Sequence, residues 1–126
     1  MAKKVLVISE EPEVLTALRG PFCAAGFEVS TCENGRQALE EIRRLKPDLL
    51  ILDLFLPGVD GFSLQNKISQ DTETSGLPII ILSSLESAKA LFVKVPQVVG
   101  FLTKPFNSEE LLQAALKAVP QFSGAQ

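Results

Sequence analysis

Short apolar runs along this chain alternate with stretches in which apolar residues return every three or four positions, the two periodicities of strands and amphipathic helices. Lys4 to Ile8 (KVLVI) is β-branched and strand-like, and Ser9-Glu10-Glu11-Pro12 then announces a change to helix, with a proline suited to a first turn. Val14, Leu15, Leu18, Phe22 and Ala25 mark one helical face, and Gly26 ends it. Gly20-Pro21 lies inside this helix, so a kink or an early end is expected there. Phe27 to Cys32 alternates as a second strand, and Asn34-Gly35 makes a turn. A second helix follows, with Ala38, Leu39, Ile42 and Leu45 on one side and Arg36, Glu40, Glu41, Arg43 and Arg44 on the other. Asp48-Leu49-Leu50-Ile51-Leu52-Asp53 is almost continuously apolar, as parallel strands covered on both faces are, and reads as the central strand. Beyond it the pattern predicts a loop at Pro57 to Gly61 and a third helix carrying Phe62, Leu64 and Ile68. It then predicts a buried strand at Pro78 to Leu82 and a short fourth helix from Glu86 to Val95, limited by Pro96. Val99 to Leu102 reads as a fifth strand, and Asn107 or Ser108 opens a last helix that ends at Ala118.

Five strands alternating with five helices make an α/β fold, because each parallel connection needs a crossover that a helix supplies. The expected architecture is a flavodoxin-like, doubly wound, five-stranded parallel sheet of order 2-1-3-4-5, filling residues 1–119 and leaving 120–126 as a tail. At 126 residues the chain has room for one core, with no need of a disulfide or structural metal.

Composition narrows the function. Twelve basic residues against 15 acidic ones give a net charge of −3, and the basic residues are scattered, which argues against direct nucleic-acid binding. No apolar run approaches the length of a membrane span, and no signal-peptide core precedes Ser9, so a cytoplasmic protein with no membrane partner is expected. Cys23 and Cys32 read as buried thiols, and the absence of histidine excludes Ser-His-Asp and Cys-His catalysis and His-ligated metals.

Polar residues gather where the strands end: Ser9, Glu10 and Glu11 after the first, Asp53 closing the third, Ser83 and Ser84 after the fourth, Thr103 and Lys104 after the fifth. In open parallel sheets these ends converge on the binding crevice. Asp53 stands out because an ionised carboxylate within Leu49 to Leu56 requires a cation, a lysine or water to offset its desolvation.

In these residues the chain resembles the receiver domain of two-component response regulators, over about Lys3 to Val119. The resemblance is carried by Pro47 to Gly61 (PDLLILDLFLPGVDG), Pro78 to Ser83, Phe101-Leu102-Thr103-Lys104-Pro105-Phe106 and Glu109-Glu110-Leu111-Leu112. The spacings, 30 residues from Asp53 to Ser83 and 21 from Ser83 to Lys104, suit the family. The resemblance implies that Asp53 is the phosphoacceptor for a sensor histidine kinase or phosphotransfer protein. Lys104 is then the cation on the phosphoryl oxygens, with a cis Lys104-Pro105 bond, and Ser83 is the switch hydroxyl. Phe101 becomes the aromatic rotamer switch, and the output and homodimer face is helix 4, strand 5 and helix 5. Such a domain is a signalling switch that catalyses at most its own phosphorylation and dephosphorylation.

The resemblance is broken at the metal position. Where the family has two adjacent acidic residues, this chain has Ser9 and Glu10. Glu10, Asp53 and the backbone carbonyl of Phe55 are the ligands left for Mg²⁺, whose octahedral demands a longer carboxylate meets poorly. Glu11 reads as a partner of the helix dipole. Phe55 and Leu85, apolar where the family often has polar groups, imply slow loss of the phosphoryl group. Ala90 to Val99 is unusually apolar and reads either as a short helix sunk into the core or as an exposed patch for a partner or second copy. Three functions are thus to be separated: a phosphoaccepting receiver, a degenerate receiver binding partners without phosphorylation, and a hydrolase of small phosphate esters. The last lacks any visible second acid or cap.

Overall fold

In the computed structural model, which describes residues 3–56 and 59–119, strand β1 (Lys4–Ile8) leads to helix α1 (Pro12–Ala24) and strand β2 (Glu28–Cys32). A 3₁₀ turn (Gly35–Gln37) opens α2 (Ala38–Leu45), followed by β3 (Leu49–Asp53), a small hairpin β4 (Phe55–Leu56) and β5 (Val59–Asp60), and α3 (Gly61–Gln70). Then come β6 (Ile79–Ser83), a 3₁₀ segment (Glu86–Phe92), β7 (Val98–Thr103) and α4 (Ser108–Ala118). The main sheet is parallel throughout, ordered β2-β1-β3-β6-β7, which is 2-1-3-4-5 when only its own strands are numbered.

Both faces of the central strands are covered, which explains their unbroken apolar sequence. Leu6, Ile8, Leu50, Leu52, Ile79 and Ile81 pack with Ile42 of α2 and Leu64 and Ile68 of α3. Their alternates Val5, Val7, Leu49, Ile51, Ile80 and Leu82 pack with Val14, Leu18 and Phe22 of α1 and Leu111 and Ala115 of α4. Leu49 to Leu52 are fully buried, each such side chain contributing about 1.5–3 kcal/mol by leaving water. Asp53 continues the Leu49 and Ile51 side of β3 and so faces α1.

Three expectations are corrected and one is narrowed. Helix α1 does not end early: it runs through Pro21 to Ala24, and Gly20, with no Cβ to crowd the proline ring, immediately precedes it. Cys23 is exposed, one position past the buried Phe22 on α1, and only Cys32 is buried. The fourth helix is the 3₁₀ segment and stops at Phe92, consistent with β-branched Val93 and Val95 and with Pro96 disfavouring an α conformation before it. The segment expected as a loop, Pro57 to Gly61, includes strand β5, which pairs antiparallel with β4 just before it, and Gly61 already belongs to α3. Pro57, Gly58 and the tail at 120–126 lie outside the described residues. Asn107 opens α4, its Oδ1 accepting from the Glu109 and Glu110 amides.

Candidate functional site

The parallel register brings the polar strand ends to one edge. Ile8 lies beside Leu52, so Ser9 stands level with Asp53, while Asp53 pairs with Leu82 and Ser83 with Thr103. Lys104 follows directly, its amide donating to the Ser83 carbonyl at 2.8 Å.

Asp53 is wholly buried. Its Oδ2 accepts from the Ser9 hydroxyl at 2.9 Å and from Lys104 Nζ at 2.6 Å. Lys104 also makes an ion pair with Glu11 Oε1. The Lys104-Pro105 peptide bond is cis. Burial alone would lower the Lys104 ammonium, but its hydrogen bonds to Asp53 and Glu11 outweigh this and hold it above its ordinary value. The hydrogen bond from Lys104 likewise holds the Glu11 carboxyl below its ordinary value, against the opposing effect of desolvation.

Glu11 has a partner, Lys104, that the sequence pattern does not supply. Pro12 at the first helical position leaves Glu11 as the extended N-cap residue (φ −91°, ψ 113°), and its side chain makes no capping hydrogen bond. It stands at the start of α1 and reaches across to Lys104. Proline directly after the glutamate was the available signal.

The other expected residues are placed as follows. Ser83 Oγ is turned to the backbone of Leu85, accepting from its amide at 3.0 Å. Phe101 is half-buried, its ring 6.3 Å from that of Phe92 and tilted by 34°. Thr103 Oγ1 donates to Glu86 at 2.9 Å, tying the end of β7 to the 3₁₀ segment. Glu10 is exposed, and Phe55 lies in β4 opposite Asp60. Beside the site a cleft of about 510 Å³ opens between α1 and the Lys104-Pro105-Phe106 turn, lined in part by Glu11, Val14 and Ser108.

A divalent cation here would have Asp53 as its one buried carboxylate. Glu11 is engaged by Lys104, Ser9 offers a neutral hydroxyl, and among the described residues no three acidic, thiol or imidazole side chains are grouped to hold a metal. With only exposed Glu10 and a backbone carbonyl left as further donors, the set does not meet the octahedral demands of Mg²⁺.

A buried aspartate bridged to lysine at the carboxyl edge of a 2-1-3-4-5 parallel sheet defines a receiver-type site. The family model for the response regulator receiver domain matches residues 5–116, and the chain belongs to that family. It is 37% identical over 120 residues to the phosphate regulon transcriptional regulatory protein PhoB of Rhizobium meliloti, covering 94% of this chain and 52% of that protein. The chain thus spans about half the length of that relative. A putative response regulator from Chloroflexus aurantiacus superposes with a TM-score of 0.85 at 31% identity, covering 94% of this chain and 98% of that one. The receiver domain of sensor histidine kinase PA1611 from Pseudomonas aeruginosa shares the fold with a TM-score of 0.80 at 24% identity, over 93% and 97% of the two chains. Its structure holds a magnesium ion coordinated in the active-site cleft.

Proposed function

We propose that this receiver, spanning residues 1–119, accepts a phosphoryl group on Asp53 from the phosphohistidine of a cytoplasmic sensor kinase or phosphotransfer protein, and signals by changing its output face. The observation that carries the reading is the Lys104 ammonium held 2.6 Å from the buried Asp53 carboxylate. An Asp53 oxygen attacks phosphorus in line, the phosphorus–nitrogen bond breaks, and the imidazole leaves with the electron pair and takes up a proton. Lys104 follows the phosphoryl oxygens as charge builds on them.

The switch follows from packing. Ser83, freed from the Leu85 backbone, turns its hydroxyl to the phosphoryl group, and Phe101 leaves its place against Phe92 to fill the vacated space. The 3₁₀ segment, β7 and α4 then form the face for an output protein or a second copy. A second reading, a degenerate receiver that binds its partner without phosphorylation, is favoured by Ser9 at the usual position of an acidic residue.

Intact mass after incubation with a small phosphodonor separates the two. Gain of one phosphoryl group by the wild type and none by Asp53→Asn is the expected result; no gain by a folded wild type establishes the second reading.

A further inference from the structure

Ser9 is fully buried and uses its hydroxyl in both directions: Oγ donates to Asp53 Oδ2 at 2.9 Å and accepts from the Glu11 amide at 3.1 Å. The second bond fixes the start of α1, and with it the residue that pairs with Lys104. A carboxylate at position 9 can accept from the Glu11 amide, but it has no proton to donate to Asp53 and places like charge against it. A shared proton or a further cation between the two would be needed to relieve that repulsion. A hydroxyl satisfies both neighbours without either. The charge balance agrees, since Asp53 and Glu11 share Lys104, whereas a third carboxylate would leave one ammonium facing three anions.

We propose that Ser9 and Glu11 replace a bound cation in this receiver. Ser9 caps and orients the acceptor oxygen, Glu11 steadies Lys104 on that same oxygen, and the carboxylate is prepared for phosphoryl transfer with little dependence on a divalent ion. Ser9 is thus a positioning residue that sets the metal requirement of the site. The proposal rests on Asp53 as acceptor only for its kinetic consequence; its binding consequence stands apart from that reading.

The first arm of the test is therefore binding alone: thermal unfolding of the full chain over a titration with Mg²⁺, repeated with Mn²⁺. The wild type is expected to shift by less than about 1 °C at millimolar ion, and Ser9→Asp to rise by roughly 5 °C at ten times its Kd. The gain should vanish in Ser9→Asp with Asp53→Asn, and Ser9→Asn should show none. A wild type stabilised as strongly as Ser9→Asp, through Asp53, overturns the proposal, as does a folded Ser9→Asp that gains nothing. If Ser9→Asp fails to fold, the wild type beside Asp53→Asn decides, because an Asp53-dependent response to the ion overturns the proposal unaided. The second arm measures phosphoryl uptake with Mg²⁺ and with chelator. The expected ratio is within about threefold for the wild type and Ser9→Thr, and above about tenfold for Ser9→Asp. A wild-type ratio above tenfold overturns the proposal; absence of any uptake counts against Asp53 as acceptor and leaves the binding arm to decide.

Discussion

At the scale of single residues, what was legible in the sequence depended on whether a residue's role is local. Asp53 could be picked out because a charge inside an apolar run must be compensated wherever the rest of the chain goes. Glu11 could not, because its partner Lys104 lies 93 residues away and is brought near only when the sheet closes. Lys104→Met should leave Asp53 and Glu11 facing each other with no cation, destabilising the fold by about 3 kcal/mol, the lower end for a broken buried pair. The lower end applies because Glu11 is about a third exposed, at 37%. Urea unfolding reads this, and adding Glu11→Gln should recover part of the loss, where simple additivity would deny a coupled triad. The two cysteines differ for a local reason: Cys23 stands one position past Phe22, off the buried face of α1, while Cys32 ends β2 on its buried position. Burial pushes the Cys32 thiol above its ordinary value, while Cys23 is exposed. A disulfide reagent at about pH 8 should therefore consume Cys23 quickly and Cys32 only in denaturant. Since the Cys32 thiol is raised in the folded state, its contribution to stability is complete below the ordinary thiol pKa and fades as pH rises through the folded one. Cys32→Ala should remove that alkaline loss from a series of unfolding curves; equal loss in both proteins would show that Cys32 is not its source.

Elements were read well where periodicity was strong and less well where chain reversals or tight helices broke it. The five sheet strands and the helices on α2 and α4 follow the sequence pattern, because strands buried on both faces need continuous apolar residues and surface helices need one apolar stripe. Strand β5 falls inside the expected loop because two-residue strands carry no period. Its junction with α3 nonetheless makes a sharp demand. A Cβ at Gly61 would sit 2.8 Å from both the Cα and carbonyl oxygen of Leu54, backbone that cannot swing aside. Gly61→Ala should cost about 1–3 kcal/mol as an overpacked contact, and, because the backbone it presses on adjoins Asp53, should also slow phosphoryl uptake. Thermal unfolding and intact mass check the two effects separately. A polar chain at the opposite end of the sheet was equally invisible in the sequence. Gln97 accepts from Ser69 of α3 at 2.6 Å and donates to the Thr74 carbonyl at 2.6 Å, with Gln97 and Thr74 both buried. Gln97→Leu keeps the bulk but removes one hydrogen bond from each of two groups that keep another partner, Ser69 through Gln65 and the Thr74 carbonyl through the Leu77 amide, so a loss of about 0.5–1.5 kcal/mol per bond is expected in urea unfolding.

For the molecule as a whole, the sequence of the apolar stretch from Ala90 to Val99 fits either a core helix or an exposed patch, and the structure divides it. Ala88 and Phe92 turn inward, while Leu91, Val93 and Val99 are exposed by 63%, 73% and 51%, with Leu85 nearby at 64%. A seven-residue 3₁₀ segment cannot bury a full face, so side chains that an α-helix would have shared with the core remain in water. The edge strand β7 borders this patch and, on its other side, a groove of about 730 Å³ against α4, flanked by Glu109, Glu110 and Lys117. An apolar centre beside charges of both signs suits a self-complementary contact, in which each copy offers acid to the other's lysine. On the proposed dimer reading, sedimentation should show concentration-dependent self-association that strengthens when Asp53 is phosphorylated. Leu91→Lys with Val93→Lys should abolish it at fixed concentration. Because both positions are exposed in the monomer, their replacement should move the unfolding midpoint by no more than the 0.5 kcal/mol or so of an ordinary surface change. Loss of association without loss of stability places the patch in the contact; a protein that stays monomeric throughout, phosphorylated or not, turns the patch over to an output protein as its partner.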